Sequence, residues 1–182
     1  MDLEKFIRTV PDFPIKGINF YDITTLFDNK ITFNYIIQLL SKRYKSKGLD
    51  KIVAIEARGF ILGSALAHSL NLGFVPIRKK GKLPYKTISN TYSLEYGEDT
   101  IEIHVDAINK NEKVLLVDDL IATGGTAQAS ADLIKQLNGQ LYECCFIIDL
   151  PELGGSKNLL DDGHNVYSIL SVSYTHLRAH ET

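Results

Sequence analysis

The chemistry of this chain concentrates in the run Val114-Leu-Leu-Val-Asp-Asp-Leu-Ile-Ala-Thr-Gly-Gly-Thr126. An apolar stretch leads into two acids, Asp118 and Asp119, and then into a Thr-Gly-Gly-Thr turn ahead of a helical pattern. Ala122, Thr123, Gly124, Gly125 and Thr126 can wrap a phosphate. The glycines permit close backbone approach, the threonines donate hydroxyls, and the N–H groups that open a helix lack partners. Two carboxylates beside such a cradle would repel a bare phosphate. A ribose supplies their purpose, because each of its vicinal hydroxyls can donate a hydrogen bond to one acid. The P-loop spacing and its Lys are missing, and no GxGxxG follows a strand. A lone Thr-Gly-Gly-Thr would pass as a capped helix start; the whole run is far more specific.

Other residues suit an anion. Arg58, in Ile55-Glu-Ala-Arg-Gly-Phe60, falls between a buried strand and a helix, where it meets either an anion or a surface acid. Five cations (Arg78, Lys79, Lys80, Lys82 and Lys86) crowd one segment. Such a run is ordinarily a solvated loop, but a ligand with several phosphate charges would give it another use. Phe20, following Asn19, is an aromatic at a loop position and by itself reads as a core anchor. Glu95 by itself reads as an exposed strand residue. His68, His104 and His164 lack metal-ligand spacing, and His176 with His180 has the spacing but no third ligand nearby.

These residues need a scaffold, and the hydrophobic pattern supplies one. The spacing predicts helices over 31–47, 60–70 and 125–137, and strands over 51–56, 74–78, 114–117, 142–150 and 166–170. Pro76 makes the second of these strands a poor candidate for full pairing. Residues 79–90 read as a loop. Residues 92–96 and 100–105 read as an antiparallel pair joined at Gly97-Glu98-Asp99. Alternation of strand and helix predicts an α/β fold, a mostly parallel sheet with helices on both faces. Asp118 and Asp119 would then sit at its carboxyl edge, where open α/β sheets bind ligands.

Composition limits the alternatives. The chain has 182 residues, 45% of them hydrophobic, with 20 Lys+Arg against 22 Asp+Glu and a net charge of −2. That fits one domain, 1–170, and excludes disorder as the main state. Near-neutrality argues against a nucleic-acid binder that works by bulk charge. Adjacent Cys144 and Cys145 build no disulfide framework, and no apolar run reaches membrane length, so a soluble cytoplasmic protein is expected. Residues 171–182 carry no apolar face and are expected to be a non-native or disordered tail.

The acid-acid-cradle run resembles the hallmark of the type I phosphoribosyltransferases. Three more segments, Val10 to Thr24, Ile55 to Phe60 and Ile77 to Pro84 leading into Tyr92-Ser-Leu-Glu-Tyr-Gly97, are similar in order and kind to the adenine-using branch of that family. The resemblance spans about residues 3–170. It implies the type I phosphoribosyltransferase fold, a mostly parallel twisted sheet with a small N-terminal hood (about 1–30) and a mobile antiparallel loop. It also implies transfer of a phosphoribosyl group from phosphoribosyl pyrophosphate to adenine, yielding AMP and pyrophosphate, by a homodimer. Asp118 and Asp119 would hold the ribose, residues 122–126 the 5′-phosphate, and Arg58, Arg78, Lys79 and Lys82 the pyrophosphate. Asn19, Phe20 and Arg58 would hold adenine, and Glu95 would act on the base from the mobile loop. Mg²⁺ would arrive on substrate oxygens, with no direct ligand from a protein side chain. Tyr21 stands where many relatives carry Arg. A hypoxanthine/guanine- or xanthine-type transferase and a non-catalytic phosphoribosyl-pyrophosphate sensor are the competing expectations.

Overall fold

The structure, a computed structural model, describes residues 1–94 and 96–173. After a short 3-10 turn, β1 (Arg8–Val10) and β2 (Phe20–Asp22) pair antiparallel, with Arg8 opposite Asp22. Arg8 donates to the Asp22 carboxylate from Nε at 2.9 Å and Nη2 at 2.6 Å. Hydrogen bonds from the Thr24 hydroxyl and from Arg8 hold that carboxyl down at about 2. This small ribbon, followed by α1 (Thr24–Phe27), makes up most of the segment read above as a hood.

The main body alternates as the hydrophobic pattern requires. Helix α2 (Lys30–Tyr44) starts where the Asn29 side chain accepts from the N–H groups of Ile31 and Thr32. It ends three residues before the expected 47, because nothing between Tyr44 and the buried Leu49 has an apolar face to bury. Next come β3 (Lys51–Ile55), α3 (Arg58–Leu70) and β4 (Gly73–Lys79). Then follow β5 (Thr87–Ser93), β6 (Glu98–His104), β7 (Lys113–Ile121), α4 (Gly125–Gln136), β8 (Gln140–Asp149), α5 (Gly155–Asp161) and β9 (Val166–Ser171).

Seven strands form one sheet in the order β5-β6-β4-β3-β7-β8-β9, parallel from β4 to β9 and antiparallel at β6 and β5. Alternate residues of β7 feed two cores. Leu115 and Val117 pack with α2 and α3, while Val114 and Leu116 pack with α4. Cys144 and Cys145 face opposite cores in the same way, and burial pushes both thiols up to about 12.

Two expectations are corrected. Residues 79–90 are not all loop, since β5 begins at Thr87. Its inward positions are Ile88, Asn90 and Tyr92, and a polar Asn in the middle hides the alternation. The Asn90 Nδ2 donates to the Ala129 carbonyl at 3.2 Å, so the position is satisfied without being apolar. The hairpin turn lies earlier than Gly97-Glu98-Asp99: Leu94 N–H donates to the Gly97 carbonyl, and Glu98 already pairs with Ser93. Pro76 lies in a strand that is not fully paired, as expected: it stands opposite Ala54 of β3, while β6 joins β4 only at Arg78 and Lys79 and leaves Pro76 without a neighbour on that side. At the other end of the chain, β9 runs through Ser171, and Val172 is buried with its N–H bonded to the Asp149 carbonyl. His176 and His180 lie outside the described residues.

The sheet is tied to α2 by a buried acid. Glu143 of β8 accepts from Arg43 Nε (3.2 Å), Arg43 Nη2 (3.0 Å) and the Tyr44 hydroxyl (2.6 Å). The Arg43 guanidinium also lies 3.7 Å from the centre of the Tyr167 ring on β9. Breaking a buried pair costs several kcal/mol, and partial exposure of Arg43 reduces this. Glu143→Ala should lower stability by about 2–3 kcal/mol. A urea midpoint that stays at the parent value would refute this role.

Candidate functional site at the carboxyl edge of the sheet

The chain leaves β3 toward β4 on one side and later enters β7 on the other, so the strand order reverses between β3 and β7. Ligands of open α/β sheets bind in the crevice at such a point. The strands there differ in length. Pairing of β3 with β7 stops at Val117, whereas pairing of β7 with β8 continues to Ile121. Asp118 and Asp119 therefore lie within a strand, not after it, on an edge that β3 no longer covers.

Neighbouring strand residues project to opposite faces, and the two acids have different partners. Asp119 is 5% exposed and accepts from Arg58 Nε at 2.5 Å. Asp118 accepts the Asp119 N–H at 2.8 Å. Burial first, and then the charge of Asp119, push the Asp118 carboxyl well above its usual value. Arg58 opens α3, and Gly59 brings that helix against the acids. A Cβ on Gly59 would lie 2.8 Å from Asp118 Oδ1 and 3.2 Å from the Val117 carbonyl oxygen.

Beyond β7, residues 122–126 form the turn that leads into α4. Gly124 has φ +85° and caps α4, whose free N–H groups face a hollow of about 140 Å³ lined by Asp118 and residues 120–127. That is several times the roughly 30 Å³ share of one water. A second glycine pair backs this loop. Gly155 donates its N–H to the Ala122 carbonyl at 3.0 Å, and a Cβ there would stand 2.5 Å from that same oxygen.

A further hollow of about 340 Å³ lies beside the first, lined by Glu56, Lys79, Tyr92, Asp99, Asp118 and Thr126 among others. Glu56 clamps the end of β4: its carboxylate accepts from Arg78 Nη2 at 3.2 Å and from the Lys79 N–H at 2.5 Å. Burial alone would raise the Glu56 carboxyl, but the Lys79 N–H and then Arg78 outweigh it and hold it below the usual range. Arg78 Nε is buried and has no hydrogen-bond partner. Lys79 pairs with Asp99 at 3.3 Å. Lys82 is exposed on the turn beyond.

Above the acids sits the hood. The Arg58 guanidinium lies 5.7 Å from the centre of the Phe20 ring, and Phe13 meets the same ring in an edge contact at 5.1 Å. Asn19 is half-buried just before β2. Tyr21 packs against the core.

The structure thus gathers Phe20, Arg58, Asp118, Asp119 and residues 122–126 at one edge, with Arg78 and Lys79 alongside. Glu95 lies outside the described residues. Reading the sequence missed Glu56, Gly59, Tyr92, Asp99 and Gly155. Glu56 and Gly59 stand inside a motif already singled out. Tyr92 opens the segment quoted above as Tyr92 to Gly97 and Asp99 lies in the turn read at 97–99, but their contacts, like those of Gly155, run to distant segments that no local pattern marks.

Comparison with known proteins gives the same picture. A family model described as the phosphoribosyl transferase domain matches residues 22–173. Adenine phosphoribosyltransferase of Campylobacter fetus is 59% identical over 168 residues, which cover 91% of this chain and 92% of that protein. The crystal structure of adenine phosphoribosyltransferase from Thermoanaerobacter pseudethanolicus matches with a TM-score of 0.89 at 46% identity, covering 94% of this chain and 98% of that one. The Saccharomyces cerevisiae enzyme, complexed with D-2,5-dideoxy-2,5-imino-altritol 1,6-bisphosphate and adenine, matches at 0.87 and 39% identity, covering 93% and 97%.

The raised Asp118 carboxyl has a consequence for stability. A carboxyl that is harder to ionise in the fold than in the open chain weakens the fold as pH climbs from 3.8 through the raised folded value, and the penalty is complete above it. Asp118→Asn removes the penalty while keeping an acceptor for the Asp119 N–H. It should melt higher than the parent at pH 8, with the gain shrinking as the pH is lowered to 5. Thermal melts showing no gain at pH 8, or one that grows toward acid, would contradict this.

Proposed function

The chain belongs to the phosphoribosyltransferase family, and we propose that it transfers the 5-phosphoribosyl group from phosphoribosyl pyrophosphate to adenine, releasing AMP and pyrophosphate. The carrying observation is the acid pair of β7 running straight into the 122–126 cradle, in a chain this similar to adenine phosphoribosyltransferases.

Each part of the substrate has a matching set of residues. The N–H groups and hydroxyls of 122–126 take the 5′-phosphate, and Asp118 and Asp119 accept from the ribose hydroxyls. Arg78, Lys79 and Lys82 attract the pyrophosphate, helped by Arg58. Phe20 stacks on the purine, worth roughly 1–3 kcal/mol, and the main chain at Asn19 reads its edge. The glycosidic carbon loses pyrophosphate, gains positive character, and forms its new bond to the purine nitrogen on the opposite face. Asp118 and Asp119 favour that charge, so catalysis is mostly positional and electrostatic. Glu95 is assigned the proton on the base.

Mg²⁺ suits this site as a companion of the substrate. Among the described residues no three His, Cys, Asp or Glu side chains converge on one point, and Asp119 is engaged by Arg58. Such a donor set leaves phosphate and ribose oxygens as the main ligands, the usual habit of Mg²⁺. When bound, it neutralises charge on the departing pyrophosphate. Two buried free cysteines, and no described helix long and apolar enough to cross a membrane, favour the cytoplasm as the compartment. A homodimer is the inferred assembly.

AMP formation tests the reading. The full chain with Mg²⁺ and phosphoribosyl pyrophosphate should convert adenine and, offered equal hypoxanthine, guanine and xanthine, should prefer adenine by a large factor. Preference for an oxopurine would move it to another branch; tight binding without pyrophosphate release would make it a sensor. Asp119→Asn should lower kcat/KM for phosphoribosyl pyrophosphate by about ten- to a hundredfold, as expected for a charged hydrogen bond of roughly 1.5–3 kcal/mol. Full turnover of that variant at limiting substrate would remove Asp119 from the ribose site.

A further inference from the structure

Tyr92 has no role in the scheme above, yet it stands between the two hollows. It is an inward-facing residue of β5, and its hydroxyl oxygen accepts from the Thr126 hydroxyl at 2.8 Å. Thr126 belongs to the cradle and lines both hollows. The Tyr92 ring packs over Gly125, where a Cβ would meet the ring at 3.2 Å, so any larger residue there would displace it. Two residues earlier, Asn90 bonds the Ala129 carbonyl and fixes the same face of β5 against α4. On the far side, Tyr92 is the cross-strand partner of Asp99, which holds Lys79. Burial, opposed by the Thr126 hydroxyl and aided by Asp99, raises the phenol above its usual value, so it keeps its proton at neutral pH.

A hydroxyl has one proton to donate. A phosphate dianion only accepts, so Thr126 cannot donate to a phosphate and to Tyr92 at once. We propose that Tyr92 is a positioning residue for the 5′-phosphate: with phosphate in the cradle the bond reverses, Tyr92 donating to Thr126 Oγ while Thr126 donates to a phosphate oxygen. The change requires both hydroxyls to rotate, the Tyr92 proton turning from the side of Asp99 toward Thr126 Oγ, and each bond in such a chain polarises the next. Phenylalanine would fill the same space over Gly125 but could not make that donation. The assignment rests on the phosphoribosyl reading of the cradle.

Tyr92→Phe keeps the ring and removes the donor. Calorimetry on the full chain should show ribose 5-phosphate binding weakened about three- to tenfold, the range of one net hydrogen bond, with inorganic pyrophosphate changed less than twofold. The KM for phosphoribosyl pyrophosphate should rise in step while kcat and the KM for adenine stay near the parent values. Thr126→Ala should weaken ribose 5-phosphate at least as much, and adding Tyr92→Phe to it should cost nothing more. Thr126→Ser, which retains the hydroxyl, should restore sensitivity to Tyr92→Phe. Unchanged ribose 5-phosphate affinity in Tyr92→Phe, equal weakening of both ligands, or additive losses in the double variant would overturn the proposal. A parent chain that binds ribose 5-phosphate yet makes no AMP would sink the transferase reading alone; one that does not bind ribose 5-phosphate would sink both.

Discussion

Adjacent carboxylates at the end of a buried strand repel one another and resist leaving water, and the surroundings of Asp118 and Asp119 are built around that constraint. The alternation of a strand separates the two side chains. Asp119, the more buried of the two, receives Arg58, and Asp118, facing the hollows, receives a backbone N–H. Arg58 reaches Asp119 because it opens α3, and α3 comes close enough because residue 59 has no Cβ. Even so, Asp118 remains costly to ionise. Such local disadvantage is characteristic of sites kept for chemistry rather than stability.

The cations around the site are held by acids of the same chain: Arg58 by Asp119, Arg78 by Glu56 and Lys79 by Asp99. The guanidinium and ammonium groups in these pairs are a third to two-thirds exposed. Partly exposed pairs contribute little, about 0–1 kcal/mol each. They keep the cations at the rim of the hollows without binding them so tightly that a polyanion could not compete. Glu56 does more than neutralise, because it also takes the Lys79 N–H and so fixes where β4 ends.

What could be read from the sequence follows from where the information resides. The acid pair, the cradle, the alternation of strand and helix and the facing of Cys144 and Cys145 are properties of contiguous residues, and periodicity or local chemistry shows them. The end of β7 is different. It continues through Ile121 because β8 pairs with it that far, and nothing in residues 118–121 announces it. The start of β5 was hidden because Asn90 fills an inward position that a local reading expects to be apolar, and its satisfaction comes from the Ala129 carbonyl far along the chain. Tyr92, Asp99 and Gly155 have the same character: each is ordinary in its own segment and meaningful only against a distant one.

A net charge of −2 can coexist with a site for a polyanion because the charge is an average over opposing patches. Cations gather between Arg78 and Lys86, whereas the floor of the crevice carries Glu56, Asp118 and Asp119. A long nucleic acid needs one sign of charge sustained over its length, whereas the charges here change sign across a few residues. A small ligand with phosphates at its ends and hydroxyls in its middle meets the reverse situation. Under the proposed assignment its charged ends would reach the cradle and the cations and its hydroxyls the acids, so the repulsion that would exclude a bare phosphate would orient a ribose between two of them. The polarity of the crevice therefore selects by the spacing of charge along the ligand rather than by total charge.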